Sequence, residues 1–230
     1  MTQTRLSNTT IPRVVDSFFS KDGTKVLLRI LNEDQETVET LSAKIVQKAT
    51  TSPSGGSLIA DGFGLEGPYL TTNIIDAEIS SKGLTYLVPK STGGSSLVTA
   101  ALDDLSKKLV FESPLTDWII SRLDTTNILM TTKADSRIAG FSYLVNTQNG
   151  TSKKILGDLP GLTTNMSLDE KWLIYSVSRN NEFGSFVQNM ATGETKKLGV
   201  NTLPEKCVFS SKDTNILFCA GPTEMPRTNL

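Results

Sequence analysis

DSFFSKDGTKVLL, residues 16–28, is the stretch on which the fold turns. An apolar-ending segment runs into a Ser and a polar turn, and a second apolar run follows. The same order returns four times, as DAEISSKGLTYLV (76–88), DWIISRLDTTNILM (117–130), TTNMSLDEKWLIY (163–175) and KCVFSSKDTNILF (206–218). The anchoring serines are Ser20, Ser80, Ser121, Ser167 and Ser210, separated by 60, 41, 46 and 43 residues. Phe19, Ile79, Ile120, Met166 and Phe209 precede them, always apolar. A repeat of about 40–50 residues marks a solenoid or propeller, because a unit that small cannot bury its own faces and must stack on its neighbour.

Each unit carries a second hairpin, clearest in FGSFVQNMATGETKKL (183–198) and LVNTQNGTSKKI (144–155), where turn residues separate two alternating runs. Two hairpins per unit make a four-stranded antiparallel sheet. The fold expected is therefore all-β: a β-propeller of about five four-stranded antiparallel blades, at 11–72, 73–114, 115–159, 160–200 and 201–220, within one domain of 230 residues. The last blade is expected to be incomplete, because Pro222 and Pro226 stand where its third strand should run and proline is confined to sheet edges. RLSNTTIP (5–12) parallels KLGVNTLP (197–204), which makes residues 3–7 the outer strand of a blade whose inner strands lie elsewhere. An open propeller leaves unpaired edges, so the chain is expected to be a piece of a longer one.

At the turns a family resemblance becomes specific. FSKDGTKVLL (19–28) and MSLDEKWLIY (166–175) resemble the WD40-like repeat of TolB-type propellers, which reads aromatic-Ser-Pro-Asp-Gly, two or three polar residues, then an apolar strand. Lys21 and Leu168 stand in place of the Pro, and the Gly survives at Gly23 and, shifted, at Gly83. The resemblance covers about residues 5–220 and implies propeller architecture with a tendency towards protein or ligand binding. It also implies export in bacteria, to the cell envelope or beyond, if a signal or anchor precedes this sequence, and a cytoplasmic place otherwise. A sialidase-type Asp box is the competing motif, but it puts another residue between Asp and Gly and closes on an aromatic; here Asp22 and Gly23 are adjacent and Val26 closes.

Composition excludes several chemistries. There is no histidine, so Ser-His-Asp and Cys-His nucleophilic centres cannot form within this chain. With only Cys207 and Cys219 as soft ligands, a four-ligand structural zinc site would need carboxylates. A net charge of −1 offers no basic footprint for nucleic acid, and nothing approaches 18 consecutive apolar residues, so no membrane span is expected. Ser and Thr make up nearly a quarter of the chain, which suits strands and turns.

Four residues before the serines stand Asp16, Asp76, Asp117, Thr163 and Lys206. On the innermost strands, Asp16, Asp76 and Asp117 could form an acidic ring at the channel mouth that attracts a cation or a basic peptide. The competing reading makes each Asp a hydrogen-bond acceptor at its strand entrance. Asp22, Asp169 and Asp213 read as turn caps. Asn32–Glu36 has the composition of a calcium loop without its spacing, and a solvated hairpin tip fits it better. The surplus length of the first unit, around 49–57 and 62–68, reads equally as a binding loop or a loose insertion. With a turn centred near Lys212, Cys207 and Cys219 are diagonal neighbours and remain two buried thiols; a shifted register would set them opposite each other. Trp172 and Trp118 read as core. Asn8, Asn149 and Asn165 head glycosylation sequons, triplets that arise easily in a Ser/Thr-rich chain.

The function expected is a non-enzymatic binding or scaffold module for an unidentified protein or peptide, with no cofactor. The alternatives are a regulatory propeller detached from a hydrolase domain, which a Gly-x-Ser-x-Gly elbow further along would reveal, and a carboxylate-based glycoside-processing enzyme.

Overall fold

A computed structural model describes residues 10–20, 22–34, 36–50, 59–80, 83–102, 106–123, 126–179 and 182–222. The expected N-terminal strand at 3–7, the core of the first-unit insertion and Pro226 lie outside these. The described residues form two compact units, 1–114 and 115–230, divided at a blade boundary read from the sequence.

The first unit holds two sheets, β1 (Val14–Phe19) to β4 (Ile59–Glu66), with β2 (Lys25–Leu31) and β3 (Val38–Thr50) between, and β5 (Asp76–Ser80), β6 (Gly83–Pro89), β7 (Ser95–Ala100) and β8 (Lys108–Ser113). The second unit holds β9 (Trp118–Arg122), β10 (Asn127–Thr132), β11 (Ala139–Asn146) and β12 (Ser152–Pro160), then β13 (Thr163–Met166), β14 (Trp172–Arg179), β15 (Glu182–Asn189) and β16 (Thr195–Lys197). Each is a four-stranded antiparallel meander in sequence order. A 3-10 turn at Pro204–Lys206 leads into β17 (Cys207–Phe209) and β18 (Leu217–Cys219), which form a two-stranded sheet. This is the β-propeller blade pattern, with four full blades and a last blade of two strands among the described residues.

The second strand of each full blade is paired on both sides, and where apolar clusters also cover both faces it carries an unbroken apolar run instead of an alternation. On β2, Leu27 belongs to one cluster with Ile74 and Tyr86, while Val26 and Leu28 belong to another on the opposite face. Ile128, Leu129 and Met130 on β10, and Leu173 and Ile174 on β14, are likewise buried. Outer strands invert the pattern. β16 is Thr-Lys-Lys and fully exposed, and β12 opens with exposed Ser152, Lys153 and Lys154, which guard the open edges.

The repeat serines close the turns. Ser20 donates its amide to the Lys25 carbonyl (3.0 Å) and its Oγ accepts from the Lys25 amide (3.0 Å); Ser167 makes the same pair with Trp172 (2.8 and 2.9 Å). Ser80 Oγ both donates to the Gly83 carbonyl and accepts from its amide. In the third blade the match slips: Ser121 pairs with Leu129 inside the ladder, and Leu123 takes the turn position. Five residues separate the last strand pair there, Arg122 and Ile128, whereas six separate Phe19 from Val26 and Met166 from Leu173. The position here is taken by an apolar residue that sinks into the core with Leu129, Met166 and Leu173. The corrected positions 20, 80, 123, 167 and 210 are 60, 43, 44 and 43 apart. Gly23 sits at φ 68°; the fourth blade puts Glu170 there at φ 61°, a conformation unfavourable for a side chain, and both Glu170 carboxylate oxygens accept from Asn127 Nδ2 of the third blade (3.0 and 2.9 Å).

The expectation of two free thiols is corrected: Cys207 and Cys219 are disulfide-bonded. The strand register sets Cys207 directly opposite Cys219, so the hairpin is centred on Asp213, one residue beyond the assumed turn. Because the Ala220 amide donates to the Lys206 carbonyl (2.9 Å), this is a non-hydrogen-bonded pair, the site where opposite Cα atoms come closest; here they are 4.1 Å apart.

Candidate binding sites

The three aspartates singled out by the repeat do not share one structural position. Asp16 lies exposed on β1 opposite Arg29, and Asp76 half-buried at the start of β5 opposite Leu87. Each accepts the amide of the following residue on Oδ1, from Ser17 and Ala77, both at 2.9 Å. The corresponding residue of the third blade is Ile119, paired with Thr131 and 48% exposed; Asp117 lies two residues earlier, ahead of β9, where its carbonyl accepts from the Lys133 amide (2.7 Å). Thr163 shares a hydrogen bond with Ser176 (2.6 Å), and Lys206 sits in the 3-10 turn. The slip from Ser121 to Leu123 carries straight over to Asp117, since all three were counted from the same anchor. In the first unit the repeat position is acidic twice, and beside Asp16 the same strand exposes Val15 (55%) and Phe19 (58%).

The turn aspartates are bound up in local structure. Asp22 takes the Ser20 hydroxyl and then the Thr24 amide (3.1 Å), which hold its carboxyl down to about 2. At Asp169, desolvation works to raise the pKa, but the Ser167 hydroxyl (2.8 Å), Lys171 (3.0 Å) and Thr214 (2.9 Å) outweigh it and hold the group well below the usual carboxylate range. Asp213 accepts from the amide and the side chain of Asn215 (3.0 and 2.9 Å). Asp34 caps Glu36 and Thr37, so the acidic stretch at 32–36 is a hairpin tip. Among the described residues, no three His, Cys, Asp or Glu side chains group so as to hold a metal ion. Among the described residues, no helix is long and apolar enough to cross a membrane.

Two cavities escaped the sequence reading. In the first unit, about 410 Å³ is lined by Lys25, Ser42, Lys44, Glu66, Pro68 and Leu102, with Lys25, Lys44 and Glu66 in one cross-strand row. In the second, about 530 Å³ beside the last hairpin is lined by Phe183, Thr202, Leu203, Lys206, Ala220 and Pro222. The surplus length of the first unit and the proline after the last hairpin hinted at irregular backbone in these places, but nothing in the spacing showed a hollow. Trp118 is core, 5% exposed and edge-on to Tyr143 at 5.9 Å. Trp172 is half-buried instead of core, because its Nε1 donates to Asn215 Oδ1 across to the last hairpin (3.1 Å).

No protein-family model matches the sequence, and no curated protein matches it significantly. Solved structures do. TolB from Acinetobacter baumannii is similar over 86% of this chain and 46% of its own, at 14% identity and a TM-score of 0.53. The β-propeller domain of the Trilobed protease from Pyrococcus furiosus is similar over 82% and 58%, at 13% and 0.53. Acylaminoacyl peptidase from Pyrococcus horikoshii is similar over 81% and 32%, at 13% and 0.53. The chain thus spans less than two thirds of each of these three proteins. At these identities the likeness speaks for the fold, which together with the repeat turns and the four full blades is that of a TolB-like β-propeller.

Proposed function

We propose that the chain is a non-enzymatic propeller module that recognises a protein or peptide partner. The observation that carries this is β1, which presents the exposed Val15 and Phe19 beside Asp16 where a strand of a closed core would hide them. Asp16 and Asp76 are the charged contacts in the first unit and favour a basic, partly apolar segment; Asp117 serves the second unit. The test is selection from a library of random twelve-residue peptides displayed on phage, followed by titration of the winners. Basic, apolar-flanked sequences are expected, and Asp16→Asn with Asp76→Asn should weaken them about tenfold while Asp22→Asn leaves binding unchanged. Recovery of no sequence preference, or binding indifferent to the double substitution, defeats the proposal.

A second reading, a regulatory propeller of a hydrolase, is favoured by the likeness to the propeller of the Trilobed protease and to acylaminoacyl peptidase. It calls for a hydrolase domain in the same gene. The disulfide supports a cell-envelope or exported location, since such bonds persist in oxidising compartments.

A further inference from the structure

The last hairpin is held by a short ladder, ending in the Ser210–Ile216 and Ala220–Lys206 hydrogen bonds, and by one disulfide across it. β17 and β18 are three residues each and pair only with one another among the described residues. Val208 and Phe218, a cross-strand pair, are 62% and 60% exposed, while on the other face Cys207 is buried and Phe209, Leu217 and Cys219 half-buried. A two-stranded hairpin is marginal in water without further support. Its ties to the fourth blade are polar and lie at its two ends: Asn165 Nδ2 donates to the carbonyls of Pro204 (3.3 Å) and Cys207 (3.0 Å), Trp172 to Asn215, and Thr214 to Asp169. The disulfide stands next to the cavity. Lys206 precedes Cys207, Ala220 follows Cys219, both line the 530 Å³ space, and the Thr202 hydroxyl holds the Ala220 carbonyl. One covalent bond therefore governs both the strand pairing and a wall of the cavity.

We propose that Cys207–Cys219 is a redox latch: oxidised, it closes the hairpin and fixes the cavity wall; reduced, it releases β18 and the segment Ala220–Pro222. The co-reactant is a dithiol. Its thiolate attacks the Cys219 sulfur, the more open of the two since Cys207 is 5% exposed and Cys219 half-buried. The S–S bond breaks, Cys207 leaves as a thiolate and takes a proton, and a mixed disulfide forms on Cys219. The reductant's second thiol then attacks its own sulfur in that mixed disulfide, and Cys219 leaves and is protonated. Two electrons and two protons pass to the protein, and the reductant departs as a cyclic disulfide.

Residue-resolved amide hydrogen exchange on the full chain, before and after dithiothreitol, tests this. The amides of Val208, Phe218 and Ala220 are expected to exchange at least tenfold faster after reduction and to recover on reoxidation with oxidised glutathione, while Leu173 and Ile174 on β14 stay within twofold. Joint replacement Cys207→Ser with Cys219→Ser should copy the reduced pattern and abolish the response to dithiothreitol. Unchanged exchange at the hairpin means that packing alone holds it, and equal acceleration in β14 means that the bond is a staple of the whole unit; either result overturns the latch. If the double variant fails to fold, the reversible reduction of the natural protein still decides.

Discussion

The fourth blade and the last hairpin begin with the same Ser-turn-strand pattern and are stabilised by different means. β14 is paired on both sides, with Leu173 and Ile174 wholly buried; among the described residues β18 is paired on one side and shows Phe218 to water. The difference teaches that the repeat encodes the turn, whereas support for the strands comes from neighbours. Where neighbours pack closely, apolar burial suffices. Where they do not, a covalent cross-link takes over.

Ile174→Ala should break the comparison most severely, costing about 2–5 kcal/mol for the lost burial and the cavity left behind; thermal unfolding of the second unit would register it. Next comes Ser167→Ala, which deletes the cap on the Trp172 amide and the hydroxyl on Asp169, with a loss of about 1–2 kcal/mol in denaturant titration. The matching Ser210→Ala should cost less, because its Oγ accepts from Lys212 and Asp213 only at 3.3 Å. Equal losses at the two serines would show that the turns contribute alike after all. Smallest of all is Phe218→Ala, expected within about 0.5 kcal/mol for an exposed side chain.

Acid separates the turns as well. The carboxyls of Asp22 and Asp169 are depressed in the folded state, so their contribution to stability is full above the ordinary value of 3.8 and is lost as pH falls through the folded values, for Asp22 between about 4 and 2. Asp22→Asn should flatten that part of the acid limb in a pH series of unfolding midpoints. An unaltered limb would assign acid sensitivity to other groups.

Much of the fold was legible because the signal was periodic. Serines closing turns and the apolar residues before them recur at blade spacing. What failed was local. Ser121 lies two residues from Leu123, and a match on residue type cannot see that Leu123 is drawn into the core. The same slip moved Asp117 away from the position of Asp16 and Asp76. For the cysteines, a turn misplaced by one residue turned an opposite pair into a diagonal one. The two cavities combine strand and loop residues distant in sequence, which no pattern of residue types records.

The lysines on the outer strands bear on how copies of the chain meet in solution. Lys153 and Lys154 on β12, and Lys196 and Lys197 on β16, place like charge along the free edges of full blades, so edge-to-edge sheet growth there meets repulsion that weakens as salt rises. β18 carries no charge at all, and register turns the backbone groups of Leu217 and Cys219 to the side that has no strand among the described residues. Among the described residues the lysines of β12 and β16 thus form a salt-sensitive border, whereas that of β18 is short, neutral and indifferent to salt.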